Sequence, residues 1–466
     1  MIETRCSGIH EIDIRSLHLQ ELRKEYSGKV IAEGDPEYDQ ARRVFYGDFD
    51  MKPWLIIQAA NISDVARAIS LACDTGLELA VRGGGHSVAG FGVTDGGIVL
   101  DLKNMKGIEV DPHSQTAWVE AGNTAREFAN TAGEYGLATG LGDTGSVGVT
   151  GATLAGGLGF LLRKYGLTID DLLAAEVVTA DGRILHVDSE AYPDLFWALR
   201  GGGGNFGVVT RFQFRMHEVG NVYGGMLILP ALAGVIESFI SEAEAAPDEL
   251  TTIANLIPAP PLPFIPPEFQ GRLVLMGQLL YAGSAEKGEE IVQPFRDISA
   301  PIVDMLKPMR YSEIYASEQN MLSPKVVSHT MFLDRMDHDT AKTIVEHLQE
   351  SNAPMRAVQL RALGGAMARV ADDDTAFAHR QSRILANLGS FFNGPEDKEP
   401  RQLWVEEFAR SIHQKDNGAY VGFLSAPELG RIADVYPAPT WSRLREVKSK
   451  YDPDNIFRLN LNIPPE

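Results

Sequence analysis

The chain has 466 residues, 44% of them hydrophobic and 23% charged, with a formal net charge of −21. A globular chain of this length exceeds what one core supports and predicts two or three domains. Its acidity argues against nucleic acid and against an anionic membrane surface, since both need a basic face. A phosphate-bearing ligand would have to be held by local backbone dipoles instead. Only Cys6 and Cys73 are present, too few for a disulfide framework, and no Cys/His pair has zinc-ligand spacing. Met1-Ile2-Glu3-Thr4-Arg5 leads into a charged segment without an apolar signal core, and no stretch approaches a membrane span. The expectation is a soluble, cytoplasmic protein of a reducing compartment, without a metal.

Pro53-Trp54-Leu55-Ile56-Ile57 reads as a short strand. Asn61 then caps a helix whose apolar spacing runs through Val65, Ile69 and Ala72 and stops at Gly76. Leu77 opens the next strand, which ends in Arg82-Gly83-Gly84-Gly85-His86-Ser87. Three glycines let a backbone pass close to a ligand with bare N–H groups, and a histidine can act as nucleophile, ligand or proton carrier. This predicts a phosphate-bearing cofactor beside His86; a tight turn between strands accounts for the segment equally well when taken alone. Strands follow at 97–101 and 107–120, then a helix at about 123–136.

Between 140 and 159 stand Gly140, Gly142, Gly145, Gly148, Gly151, Gly156, Gly157 and Gly159. That density suits neither helix nor strand and predicts a loop wrapping a ligand. Gly202-Gly203-Gly204-Asn205-Phe206-Gly207 matches G-x-G-x-x-G, but a helix precedes it and the strand-like Val208-Val209-Thr210-Arg211-Phe212-Gln213-Phe214 follows. A dinucleotide fingerprint requires the reverse order, and no P-loop is present. From about 220 to 415 the pattern becomes amphipathic, with one proline-rich extended loop at 257–267 and strand-like alternation at 271–280 and 354–363. The polar tail Tyr451-Asp452-Pro453-Asp454-Asn455-Ile456-Phe457-Arg458, ending in Asn460-Leu461-Asn462, suits a segment that docks back on the first domain.

These stretches together resemble the FAD-linked oxidases with the vanillyl-alcohol oxidase fold, in the berberine-bridge-enzyme-like branch. The resemblance covers nearly the whole chain. It rests on the 82–87 segment, on 145–159 with Arg163-Lys164-Tyr165-Gly166-Leu167, on Leu195-Phe196-Trp197-Ala198 through Gly207-Val208-Val209-Thr210, and on the closing motif. It implies an α+β fold, with a two-part FAD-binding domain of the PCMH type and an α+β substrate domain carrying an antiparallel sheet. The divisions are 1–218 for FAD, 219–415 for substrate, and 416–466 returning to the FAD-binding domain.

The resemblance further implies FAD covalently bonded at His86. It places Arg82, Gly83, Gly84, Gly85 and Ser87, then Thr144, Gly145, Ser146, Val147, Gly148, Gly151, Ala152, Gly156 and Gly157, around the cofactor. Gly207, Val208, Val209, Tyr420, Asn460 and Asn462 join them. Many members attach the flavin a second time through cysteine; here Thr144 stands at that position, so a single link is expected. Val88, Leu158 and Ala152 replace polar family residues, as in the bacterial branch that includes 6-hydroxynicotine oxidases. Val147 stands where a small residue admits oxygen.

Tyr420 is the expected base, on a strand, with Arg361 as a cation at the pocket lip and Gln359 beside it. His379 and Arg380 are expected to support the pocket, and His113, His186 and His217 to lie on the surface. The implied reaction is hydride transfer from an alcohol or amine carbon of a small molecule to flavin, then to O2. The alternatives are a dehydrogenase using another acceptor and a flavin-binding protein without turnover.

Overall fold

The computed structural model describes residues 18–315 and 323–466. Near its start, strands Lys29–Ala32, Leu55–Gln58, Ile98–Asp101 and Leu79–Arg82 form a sheet in that spatial order. The first pair is antiparallel and the other two are parallel. Helix Ile62–Thr75 crosses from Leu55–Gln58 to Leu79–Arg82, the two strands that flank Ile98–Asp101. Asn61 accepts a hydrogen bond from the Asp64 N–H at its start, and Gly76 ends it in the left-handed region at φ 67°, where a Cβ would be strained.

A second, antiparallel sheet runs Ile108–Asp111, Thr116–Glu120, Val208–Arg215, Leu172–Val178, Ile184–Asp188. Beside it, helix Ala125–Gly133 starts with a reciprocal capping box between Thr124 and Glu127. The core here packs Phe128, Phe160, Phe212 and Phe214 with Leu195, Trp197 and Phe206.

The middle of the chain builds a larger antiparallel sheet. Its order is Val303–Asp304, Asn221–Pro230, Leu273–Tyr281, Leu250–Pro258, Arg356–Ala362, Ile384–Phe391, Val326–Leu333, with Lys307–Arg310 also paired to Asn221–Pro230. One face buries Leu256, Val358, Leu360 and Leu388 with side chains from helices Ala233–Ala245, His338–Glu350 and Pro395–Ile412. The opposite face carries Phe332 and Leu385 into a cluster with Leu158, Phe377 and Tyr420. Period-two alternation along these strands separates the two faces. The molecule is therefore α+β, with its glycine-rich loops set against the second face of this sheet.

The last segment returns to the glycine turn that precedes Val208–Arg215. Lys448 Nζ lies 2.8 Å from the Asn205 carbonyl and 2.5 Å from Asp452 Oδ2, and Tyr436 donates to the Gly201 carbonyl. Asn205 Nδ2 donates to the Leu461 carbonyl.

Several expectations are corrected. The glycine-dense stretch is not all loop, because Val149–Leu154 forms a short helix that leaves Gly151 exposed. Tyr420 is not on a strand; it precedes the 3-10 turn Val421–Phe423. His217 is not a surface residue: its ring stacks on Tyr165 at 3.7 Å and its Nε2 is 2.8 Å from Asp171. Cys73 is disulfide-bonded, which departs from the expectation of a reducing compartment. Cys6 and the N-terminal residues 1–17 lie outside the described residues.

Lys448 and Asp452 have fully buried side chains, so removing one partner strands a charge in a low-dielectric interior. Lys448→Met is expected to cost about 3–5 kcal/mol, read as a lowered Tm and urea midpoint. An unchanged midpoint would show that the pair does not anchor the tail.

Candidate flavin site

The site begins where two glycine loops cross. Strand Leu79–Arg82 delivers Gly83 to Gly85 against the backbone of 145–148. A Cβ on Gly84 would overlap the Gly148 amide, and one on Gly148 would overlap the Gly84 amide. Only glycine at both positions allows this approach. Arg82 does not point into the crossing: its guanidinium turns back to Asp101 at 2.8 Å and the Ala41 carbonyl at 2.7 Å, and its stem packs beneath Gly85 and Gly92. Thr150 donates to the Ala121 carbonyl at 2.7 Å and faces Gly83. Ser87 Oγ accepts from the Phe91 N–H.

The crossing fixes His86. Its Nε2 lies 3.1 Å from Ser146 Oγ, and Phe45 stacks on the imidazole with centroids 4.1 Å apart and planes 22° apart. Phe45 is itself tied down by its N–H to the Gly85 carbonyl at 3.0 Å. Phe45 sets the plane of the ring and Ser146 holds its Nε2, so the imidazole is fixed in orientation, as a nucleophilic or ligating histidine requires. Val147, the residue between Ser146 and Gly148, is half-buried.

Gly156 and Gly157 have φ of 116° and 81°. This turn brings the Gly157 N–H within 3.4 Å of the Tyr420 hydroxyl, while Thr168 donates to the Gly140 carbonyl at 2.5 Å. Tyr420 is buried against Phe377 and Phe423, and burial pushes its phenol up to about 12. Like a free tyrosine it holds its proton at neutral pH, so acting as a base would require that proton to be withdrawn first.

The expectation for Arg361 is revised. It is 2% exposed, not at a lip, and its charge is taken up by Asp143 at 2.5 Å. Its other N–H groups reach the Leu158 carbonyl at 2.9 Å and Gln359 Oε1 at 2.7 and 3.0 Å. The guanidinium lies over Phe423, and Gln359 Nε2 continues to Asn255 Oδ1 at 3.0 Å.

Near the tail, Asn460 Nδ2 donates to the Gly204 carbonyl at 3.1 Å. Asn462 Oδ1 is buried and has no hydrogen-bond partner. Val208 and Val209 point into cores, paired opposite Val178 and Val177, so beyond Gly207 only their backbone is open to a ligand. His379 bonds the Val435 carbonyl, and Arg380 forms a two-pronged pair with Asp170 at 2.7 and 2.8 Å. Both support the surrounding structure, as expected.

Phe45, Asp143, Asn255 and Phe423 were not foreseen. Only Asp143 left a signal, as a carboxylate inside a glycine-rich stretch. Among the described residues no cluster of three or more His, Cys, Asp or Glu suits a metal, and no helix is long and apolar enough to cross a membrane. A cavity of about 380 Å³ lined by His329, Met331, Arg410, Arg431 and Asp434 opens elsewhere, on the helix-covered face of the large sheet.

The side-chain-free backbone at Gly83 to Gly85 fits a phosphate-bearing group, and the buried, unpartnered Asn462 Oδ1 fits an N–H or O–H donor of the same polar cofactor. Comparisons identify it. Residues 53–188 match the FAD binding domain family, and residues 430–464 match the family described as berberine and berberine like. The chain is 30% identical to the FAD-linked oxidoreductase YgaK of Bacillus subtilis, over 94% of this chain and 97% of that one. It is also 30% identical to (R)-6-hydroxynicotine oxidase of Paenarthrobacter nicotinovorans, again over 94% and 97%. The crystal structure of 6-hydroxy-D-nicotine oxidase from Arthrobacter nicotinovorans superposes with a TM-score of 0.84 at 27% identity, covering 95% of this chain and 98% of that one. BBE-like 1 of Physcomitrella patens shares the fold, with a TM-score of 0.86 at 20% identity over 97% and 100% of the two chains. Fold and site thus define an FAD-dependent oxidoreductase. The chain belongs to the berberine-like family of FAD-linked oxidoreductases.

Gly84→Ala inserts a methyl where the Gly148 backbone passes and is expected to spread the two loops. The purified variant should show a flavin-to-protein absorbance ratio well below wild type with unchanged far-UV circular dichroism. A wild-type ratio would show that the crossing is not required for cofactor retention.

Proposed function

We propose that this chain is an oxidase carrying FAD singly linked to His86, acting on a small molecule at a carbon bearing a hydroxyl or amine. The observation that carries this reading is the clamped His86 imidazole, between Phe45 and Ser146, at the mouth of the glycine crossing. A bound flavin would supply the hydride acceptor and the route for electrons to O2, with H2O2 as the product. The cofactor would lie along Gly83 to Ser87, along Thr144 to Gly148, against Gly156 and Gly157, and at the Gly207, Asn460 and Asn462 end. Thr144 offers no thiol, so one bond at His86 is the full covalent attachment. Val147 is the residue proposed to border oxygen's approach. Residues 1–218 and 416–466 would hold the cofactor, and 219–415 the substrate.

The chain's own chemistry is positioning. Ser146 and Phe45 orient the imidazole. Tyr420 offers a neutral hydroxyl beside the Gly157 amide, and Gln359, aligned by Arg361 and Asn255, offers an amide. Held substrate geometry of this kind supplies several kcal/mol to a transfer step, about 7–11 at best.

Acid precipitation tests the attachment. Yellow fluorescence should stay with the wild-type polypeptide and be lost in His86→Ala; flavin released from wild type into the supernatant would remove the covalent assignment. Peroxide formed in step with oxygen consumption tests the acceptor. Because burial holds the Tyr420 proton to about pH 12, no inflection in kcat/KM should arise from it near pH ~10, where a free tyrosine ionises. Tyr420→Phe should lower kcat/KM about tenfold or more, the loss of one buried hydrogen bond, with full flavin content; a tyrosine-dependent inflection near pH ~10 would support a base role.

A further inference from the structure

The cross-strand register of the large sheet sets four polar residues side by side. Asn255 pairs opposite Gln359, Gln359 opposite Asn387, and Asn387 opposite Thr330. Directly opposed residues share a face. Here that face is the one turned to the glycine loops, since Gln359 reaches Asp143 and the neighbouring row, Leu385 and Phe332, packs with Leu158 and Tyr420. Flanking residues Leu256, Val358 and Leu388 point the other way, into the helix-covered core.

These amides occupy strands in the interior of the sheet, yet Asn255, Gln359 and Asn387 all remain partly exposed, while Leu385 and Phe332 in the next row are at most 1% exposed. The row therefore borders an open space between the sheet and the loops. Asn387 Oδ1 and Thr330 Oγ1 are buried and have no hydrogen-bond partner. Both atoms lie below the exposed surface of the wall, so the partly exposed amides of Asn255, Gln359 and Asn387 are what a ligand meets first.

The formal charges beside this row are already neutralised. Arg361 directs its N–H groups to Asp143, Gln359 and the Leu158 carbonyl. Asp143 Oδ2 takes Arg361 and Gln359, and Oδ1 takes the Thr144 hydroxyl. Among the described residues beside this row, a carboxylate substrate finds no uncommitted cation and an ammonium finds no uncommitted carboxylate. An unpaired charge in such a site is strongly disfavoured.

We infer that Asn255, Gln359 and Asn387 form the substrate-reading wall and select an uncharged substrate that hydrogen-bonds their partly exposed amides. The inference rests on the flavin reading above, because the bound flavin is its reporter.

Holoenzyme is titrated at neutral pH with benzyl alcohol, benzoate and protonated benzylamine, following the flavin absorbance band. The neutral alcohol should bind at least tenfold more tightly than either charged analogue. Asn387→Leu should weaken the alcohol about tenfold with flavin content unchanged. The near-isosteric Asn387→Asp adds an unpaired carboxylate and should invert the preference toward benzylamine. Equal or tighter binding of a charged probe by wild type, no perturbation by the alcohol, or wild-type affinities in both variants would each overturn the inference. Absence of flavin from the wild-type protein would instead overturn the flavin reading itself.

Discussion

Two peptide backbones pass each other at Gly84 and Gly148 with no room for a Cβ on either, and the candidate flavin site is organised around that approach. It brings His86 to Ser146. An acidic chain has no overall field to attract a diphosphate, so short-range N–H dipoles must do so. Closeness at the crossing in turn requires rigid supports. The Arg82–Asp101 pair under one loop and the Asn123 and Ala121 carbonyls under the other, which accept from Val149 and Thr150, provide them.

Buried charge recurs as paired struts rather than as open reactive groups. Arg361–Asp143 and Arg380–Asp170 join residues 218 and 210 apart in sequence, Arg82–Asp101 ties two neighbouring parallel strands, and Lys448–Asp452 closes the tail. Breaking such pairs is costly even where forming them gives little net stability. Arg361 shows the consequence for function: a residue that looks like an anion receptor in the sequence becomes, once paired, a device for aligning Gln359 and the glycine loop. Beside that pair stand the amides of Gln359 and Asn255 and the protonated phenol of Tyr420.

Much of the first half was legible because its signals are local. Asn61 and Gly76 bound their helix through capping and a left-handed turn, and the helix–glycine–strand order around Gly202 excluded a dinucleotide fingerprint without any tertiary information. The middle of the chain was legible only as alternation. Tyr420 was misplaced on a strand because an apolar, aromatic run of five residues has the same pattern in a strand and in an irregular segment packed in a core. His217 was misread for a related reason, since a lone histidine carries no mark of the ring that will stack on it.

The sequence by itself determined the glycine positions, the single histidine beside them, the absence of a cysteine at Thr144, and the two periodicities that make the chain α+β. Tertiary structure decided which of these meet. Ser146 reaches His86 across 60 residues and Asp143 reaches Arg361 across 218. The row from Asn255 to Thr330 exists only through the register of four strands. Backbone propensity acts over a few residues, whereas register and packing are fixed by burying whole sheet faces at once. The chemistry of the site was therefore written in local residues, but its partners and its electrical neutrality were set by the fold.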